Sequence, residues 1–354
     1  MSVLLMIGTA KGLFLARSDD YATWHVSAPH FPECTVYGIG VHQQPQGLRL
    51  LADITSSHFG PSVASSDDLG ASWHEPEHAP IRFPADADTA LRQVWQFASA
   101  GTTVYAGTQP SALFRSADGG ESFELVKPLW EHPHRTQWGE GFGGQAIHTI
   151  LPHPVDPQRV LVAMSTGGVY QTDDGGGSWR PTNTGVQVTF SPDRFPEFGQ
   201  CVHKVARDCG DPERLYLQNH NGVYRSDDGG VTWTSIAAGL PSDFGFAIVA
   251  HPTRPGVIYS FPLQSESRRV PVDRRFRVFR SEDAGASWAA LTGGLPADPY
   301  YPVVLRDALC HDGGDGLFVG SKAGEVFASG DGGDSWHLVA AHLPTVFNVK
   351  AVRL

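Results

Sequence analysis

The sequence carries sixteen histidines, and those that depart from its regular patterning suggest chemistry. His132 and His134 sit with Arg135 and Trp138 in LWEHPHRTQWGEGFGG, His58 in TSSHFGPS, and His220 in QNHNG. His148 and His203 open two apolar runs at matching places, five residues before His153 and Asp208. Neutral imidazoles suit zinc or a similar divalent transition metal, and three of them around an open position would activate water. His58, His132, His134 and His220 are therefore candidate metal ligands. Histidine also shuttles protons near neutral pH, which makes His148 and His203, with the neighbouring Lys204, candidate catalytic groups. Arg306, Arg135 and Arg92 could receive a carboxylate or phosphate through the guanidinium fork. Trp138 and Trp95 could close over the apolar side of such a ligand. A glycosidase needs two carboxylates flanking the bond; Glu131, Glu140, Glu197, Asp243 and Asp307 are available, and spacing singles out no pair. No GxSxG elbow, P-loop or dinucleotide fingerprint stands in a usable context.

The elements that must position these residues are legible from a repeat. The pattern Ser/Thr-x-Asp-x-Gly-x-Ser/Thr-Trp/Phe occurs at Ser66–Trp73, Ser116–Phe123, Thr172–Trp179, Ser226–Trp233, Ser281–Trp288 and Ser329–Trp336. A shorter copy without the glycine runs from Ser18 to Trp24, and the starts recur every 48 to 56 residues. A fixed period in this range signals a repeat architecture. Within one unit, AIHTILPHP, RVLVAM, GVYQT and SWRP are short β-rich runs separated by Gly, Pro and Asp turns. Four such strands make a propeller blade. The acidic loop joins the third strand to the fourth, where Asp and Ser/Thr bond to backbone and Gly supplies positive φ. It lacks the distal bidentate glutamate of a calcium loop, and its role is structural.

The loop resembles the Asp-box of bacterial neuraminidase repeats, and the resemblance covers the whole chain. It implies an all-β, seven-bladed β-propeller as a single domain over residues 1–354, with the boxes on the face opposite the ligand site. The superfamily includes sialidases, xyloglucan hydrolases, sortilin-type receptors and a photosystem assembly factor. Sialidases add an Arg-Ile-Pro element that is missing here; the nearest string, Pro80-Ile81-Arg82, runs in the wrong order.

With the boxes below, the turns carrying His42, His153 and His251 also lie on the lower face. The candidate site residues fall on the upper face, around the central channel where propellers hold ligands. The last residues, TVFNVKAVRL, read as an inner strand that completes the N-terminal blade and closes the ring.

The net charge of −11 with no basic block argues against nucleic acid or an anionic membrane as partner. No apolar run is long enough to span a bilayer, and the apolar start is a strand rather than a signal peptide. Cys34, Cys201, Cys209 and Cys310 have no CxxC pairing and read as free thiols of a cytoplasmic protein. Two functions follow: a hydrolase or lyase acting on a small anionic or sugar-like substrate at the upper mouth of the channel, or a non-catalytic binding or assembly propeller. Unrepeated polar upper loops favour the enzyme; a broad apolar upper surface would favour the second.

Overall fold

In the fourth blade, Val160–Met164 is apolar throughout and buried throughout. This is what a middle strand requires when neighbouring blades cover both faces of its sheet. It pairs antiparallel with the inner strand Ile147–Pro152 on one side and with Gly168–Thr172 on the other. The outer strand shrinks to Arg180–Pro181. The computed structural model, which describes residues 2–141 and 143–354, repeats this arrangement in seven four-stranded sheets. The chain is a seven-bladed propeller.

Blade two differs in detail. Its outer edge is reduced to one bridge between Ser65 and His74, and Cys34–Thr35 instead pairs with the upper end of Gly47–Ser56. The connection from blade three to blade four also carries local helix that strand periodicity does not announce, a turn at Lys127–Trp130 and a tighter one at Arg135–Gln137.

Each full box repeats one hydrogen-bond circuit. In blade five, the Ser226 hydroxyl donates to Asp228 Oδ1 at 2.7 Å and accepts from the Gly230 N–H at 2.8 Å. Asp228 also accepts the Thr232 N–H at 2.9 Å and the Thr232 hydroxyl at 2.5 Å. Gly230 lies at φ 92°, a conformation that side chains disfavour. Bonds from the Ser72 side chain and backbone hold the Asp68 carboxyl down at about 2, and Asp174 and Asp283 stand at about 2 for the same reason. The box aspartates spend their acceptors on their own turns. Two box tryptophans tie blade to blade, Trp233 Nε1 donating to the Thr182 carbonyl of the preceding blade at 2.9 Å and Trp288 Nε1 to that of Ile236 at 3.0 Å, whereas Trp179 and Trp336 donate to Gly176 and Gly333 of their own boxes.

The ring closes as the sequence reading expects. Val346–Arg353 is the inner strand of blade one and pairs antiparallel with Val3–Thr9, from Val3 opposite Arg353 to Thr9 opposite Val346. Val346, Val349 and Ala351 are buried against Val3, Leu5 and Ile7.

Candidate functional site

The inner strands share a defect that aims side chains at the channel. In blade three, Val94 and Gln96 pair with Thr108 and Gly107, leaving Trp95 unpaired. His148 is skipped in blade four, His203 in blade five, Phe246 and Ala247 in blade six, and Phe347 in blade one. Each is a β-bulge, which bends a strand and re-aims the extra residue. Five blades therefore present a skipped residue near the channel, with Trp95, His203, Phe246 and Phe347 lining one cavity, and Tyr37 and Arg306 approach it from the chain leading into blades two and seven.

Above this ring lies a cavity of about 980 Å³. Its aromatic wall is continuous: Tyr37 packs on Trp95 at 4.5 Å between ring centroids and on Phe347 at 5.3 Å. Trp95 is oriented by its Nε1 donating to Gln109 Oε1 at 3.1 Å. The Arg306 guanidinium sits 5.4 Å from the Trp95 ring and 5.2 Å from Phe246. Arg92, Arg269 and Lys322 also line the cavity, against the carboxylates of Glu140 and Glu266. Burial pushes the Tyr37 phenol up to about 12, against the opposing pull of Arg306, so it faces the cavity as a neutral hydroxyl.

On the blade-five side the cavity wall holds Cys201, His203 and His220, whose potential ligand atoms all lie within 4.8 Å of one another. His203 Nε2 is 3.7 Å from Cys201 Sγ and 3.4 Å from His220 Nδ1. The outer nitrogens are engaged elsewhere: His203 Nδ1 with the Gly245 carbonyl at 2.5 Å, and His220 Nε2 with the Glu266 carboxylate. Burial and Arg306 drive His203 well below the ordinary histidine range. For His220, burial pulls downward but Cys201 and Glu266 outweigh it and the net shift is upward.

His148 lies beneath this level, fully buried with its ring 6.5 Å from Trp95. Burial, reinforced by Arg306 and Lys204, keeps it neutral far below its usual range. Lys204 points the other way. It forms a partly buried ion pair with Asp307 and borders a separate lower cavity of about 310 Å³. Burial lowers the Lys204 ammonium, with Asp307 opposing. Strand alternation places it below His203, which corrects the expectation that it joins the upper site.

Of the residues expected at the site, the structure brings His203, His220, Arg306, Arg92 and Trp95 onto the upper cavity, with His148 just under it. It separates the others. Trp138 is buried with its Nε1 donating to the Tyr170 hydroxyl at 2.9 Å, inside the core between blades three and four. His134 meets the same hydroxyl at 3.0 Å and stacks on Phe198, and His132 packs on His134. Arg135 lies 3.8 Å over Trp130. The unrepeated loop turns outward because its helical turns bury its own aromatics. His58 is exposed beside Phe59, itself 93 % exposed. Glu131, Glu197 and Asp243 are exposed outside the cavity lining, and Glu140 lines it. His42, His153 and His251 belong to the lower face; His153 and His251 accept backbone N–H groups of their own turns, as Asp208 does in blade five.

Sequence reasoning missed Cys201 as a site residue. The available signal was its spacing two residues before His203 at the start of one inner strand. Tyr37, Phe246 and Phe347 were also missed, because an aromatic in an apolar run gives no sign of facing a channel.

No protein-family model matches the chain. It is 24 % identical over 262 residues to a xyloglucanase of a Paenibacillus species, covering 66 % of this chain and 24 % of that protein. It is 25 % identical over 227 residues to xyloglucanase Xgh74A of Acetivibrio thermocellus, covering 54 % and 25 %. The chain spans about a quarter of the length of these relatives. Among solved structures, a putative 6-phosphogluconolactonase from Bacteroides uniformis superposes with a TM-score of 0.59 at 11 % identity, covering 99 % of both chains. YCF48 from Cyanidioschyzon merolae gives 0.54 at 15 %, covering 86 % of this chain and 85 % of its own. An ancestral GH74 enzyme gives 0.54 at 18 %, covering 89 % and 38 %. These likenesses speak to the fold. The chain is a seven-bladed β-propeller, consistent with the Asp-box superfamily, with xyloglucanases among its distant relatives.

Proposed function

We propose that the upper mouth of the channel binds a small anionic, sugar-like molecule and that the protein acts on it as a hydrolase or lyase. One observation carries this reading. In a chain of net charge −11, four cationic side chains and only two carboxylates line a cavity walled by Tyr37, Trp95, Phe246 and Phe347. Aromatic faces suit the apolar face of a sugar ring, and a few placed polar groups orient it. Arg306, 8 % exposed and held between two rings, would receive the anionic group through its fork. Glu140, Glu266, His203 and His220 are acid–base groups lining the same cavity. The distant similarity to xyloglucanases supports a carbohydrate-like ligand.

Calorimetric titration with uronic acids and their neutral parent sugars tests the reading. The acids should bind and the neutral sugars should bind at least about tenfold more weakly, the worth of one charge-assisted hydrogen bond. Arg306→Gln should weaken the acids about 10- to 100-fold, and the exposed Arg92→Gln should weaken them in a background without buried change. Equal affinity for acid and neutral sugar, or insensitivity to both variants, would overturn it.

A further inference from the structure

The hydrogen bonds around His203 and His220 fix more than their orientation. A carbonyl oxygen only accepts, so His203 Nδ1 must carry the proton in its 2.5 Å bond to Gly245. Its Nε2 is then a lone pair. In the neutral ring the Glu266 carboxylate likewise draws the proton of His220 to Nε2, leaving Nδ1 as a second lone pair. These two lone pairs face each other across 3.4 Å, with Cys201 Sγ 3.7 Å from the first. Two acceptors so placed need either a proton shared between them or a cation.

We propose that Cys201, His203 and His220 form a binding site for one zinc-like divalent transition metal, with an open position facing the upper cavity. The two spacings around His203 Nε2 fit the ion. Placed about 2.05 Å from each nitrogen and about 2.3 Å from sulfur, a metal would see the 3.4 Å and 3.7 Å edges as angles of about 112° and about 116°, near tetrahedral. Borderline-soft N₂S donors suit zinc. The outer partners are of the kind that fix metal-bound imidazoles, a carbonyl behind one ring and a carboxylate behind the other. Three protein ligands with a cavity on the fourth side is the pattern of a reactive rather than a purely structural site. The fourth ligand would be water or an oxygen of the bound molecule. This site rests on its own geometry and stands whether or not the cavity selects anions.

The test is titration of the full-length, chelator-treated protein with Co²⁺ and then Zn²⁺, without any organic ligand. One ion per chain should bind, with a thiolate-to-cobalt charge-transfer band and the intense visible bands of four-coordinate cobalt. Cys201→Ser should remove the charge-transfer band, and Glu266→Gln should weaken binding about 10- to 100-fold. His132→Gln/His134→Gln and Cys209→Ser should change nothing. Should Cys201→Ser fail to fold, His220→Gln, at the cavity edge, supplies the same loss of binding. Absence of saturable uptake would mean that a shared proton joins the two rings, and would overturn the proposal. Binding that survives Cys201→Ser or His220→Gln unchanged would do so too. Sugar-acid titrations are read separately, so each result can fail alone.

Discussion

Asp53 offers a test in which the sign of a pH effect is fixed by burial. It sits on the middle strand of blade two, 0 % exposed, where its Oδ1 accepts the Val94 N–H at 3.2 Å and the Thr55 hydroxyl at 3.2 Å. Burial raises its carboxyl from 3.8 to about 8, against the lowering effect of these donors. A folded-state value above the unfolded one means that the native protein keeps a proton the unfolded chain has lost. That contribution is complete below the unfolded value near 3.8 and is lost as pH rises through about 8. Between pH 6 and pH 8 the loss is about 2 kcal/mol, from a slope of about 1.4 kcal/mol per unit that flattens near the folded value. For a chain of this length the shift in Tm is about 3 °C. Asp53→Asn keeps the shape and removes the titration. Thermal unfolding of both proteins at pH 6 and pH 8 should show the wild type losing about 3 °C more than the variant, with His148 and His203 common to both. An equal or smaller loss in the wild type would show that Asp53 is ionised in the fold and that the donors outweigh burial.

Two further predictions concern the frame. Deleting residues 346–354 exposes the strand edge of Val3–Thr9 and removes buried Val346 and Val349; those two side chains alone are worth about 3–6 kcal/mol, or about 4–8 °C in Tm, and an unchanged melting curve would contradict the observed closure. Asp228→Ala should cost about 1–3 kcal/mol in chemical denaturation, because Thr232 and Ser226 lose their acceptor, while ligand binding by the folded protein is unchanged; loss of binding without loss of stability would move the box from scaffold to site.

The blades were legible in the sequence because the box recurs in register with strand-length apolar runs, and ring closure followed from a three-stranded first blade. The site was legible only in part. Sorting residues by loop and strand end does not say which of two neighbours turns into the channel, and the bulges at Trp95, His148, His203, Phe246–Ala247 and Phe347 decide it. Lys204 was misplaced for this reason: the bulge turns His203 upward, and the next residue resumes the ladder and faces Asp307 below. Trp138 and His134 were misplaced for another. An irregular loop can satisfy polar aromatic atoms on a nearby tyrosine, and composition does not reveal which way it folds.

The bulges separate two duties that a strand usually combines. A residue in the ladder must serve both its pairing and whatever its side chain touches, so changing it disturbs the sheet. The skipped residue has no ladder partner, and its side chain can be exchanged while the blade keeps its register. Trp95, His148, His203 and Phe347 thus behave like removable bits in fixed sockets, one per blade. A propeller built this way can change what lines its channel by replacing a few residues around the ring without altering strand pairing or the boxes; because Trp95, His148 and His203 are buried, each exchange must also refill the space it leaves.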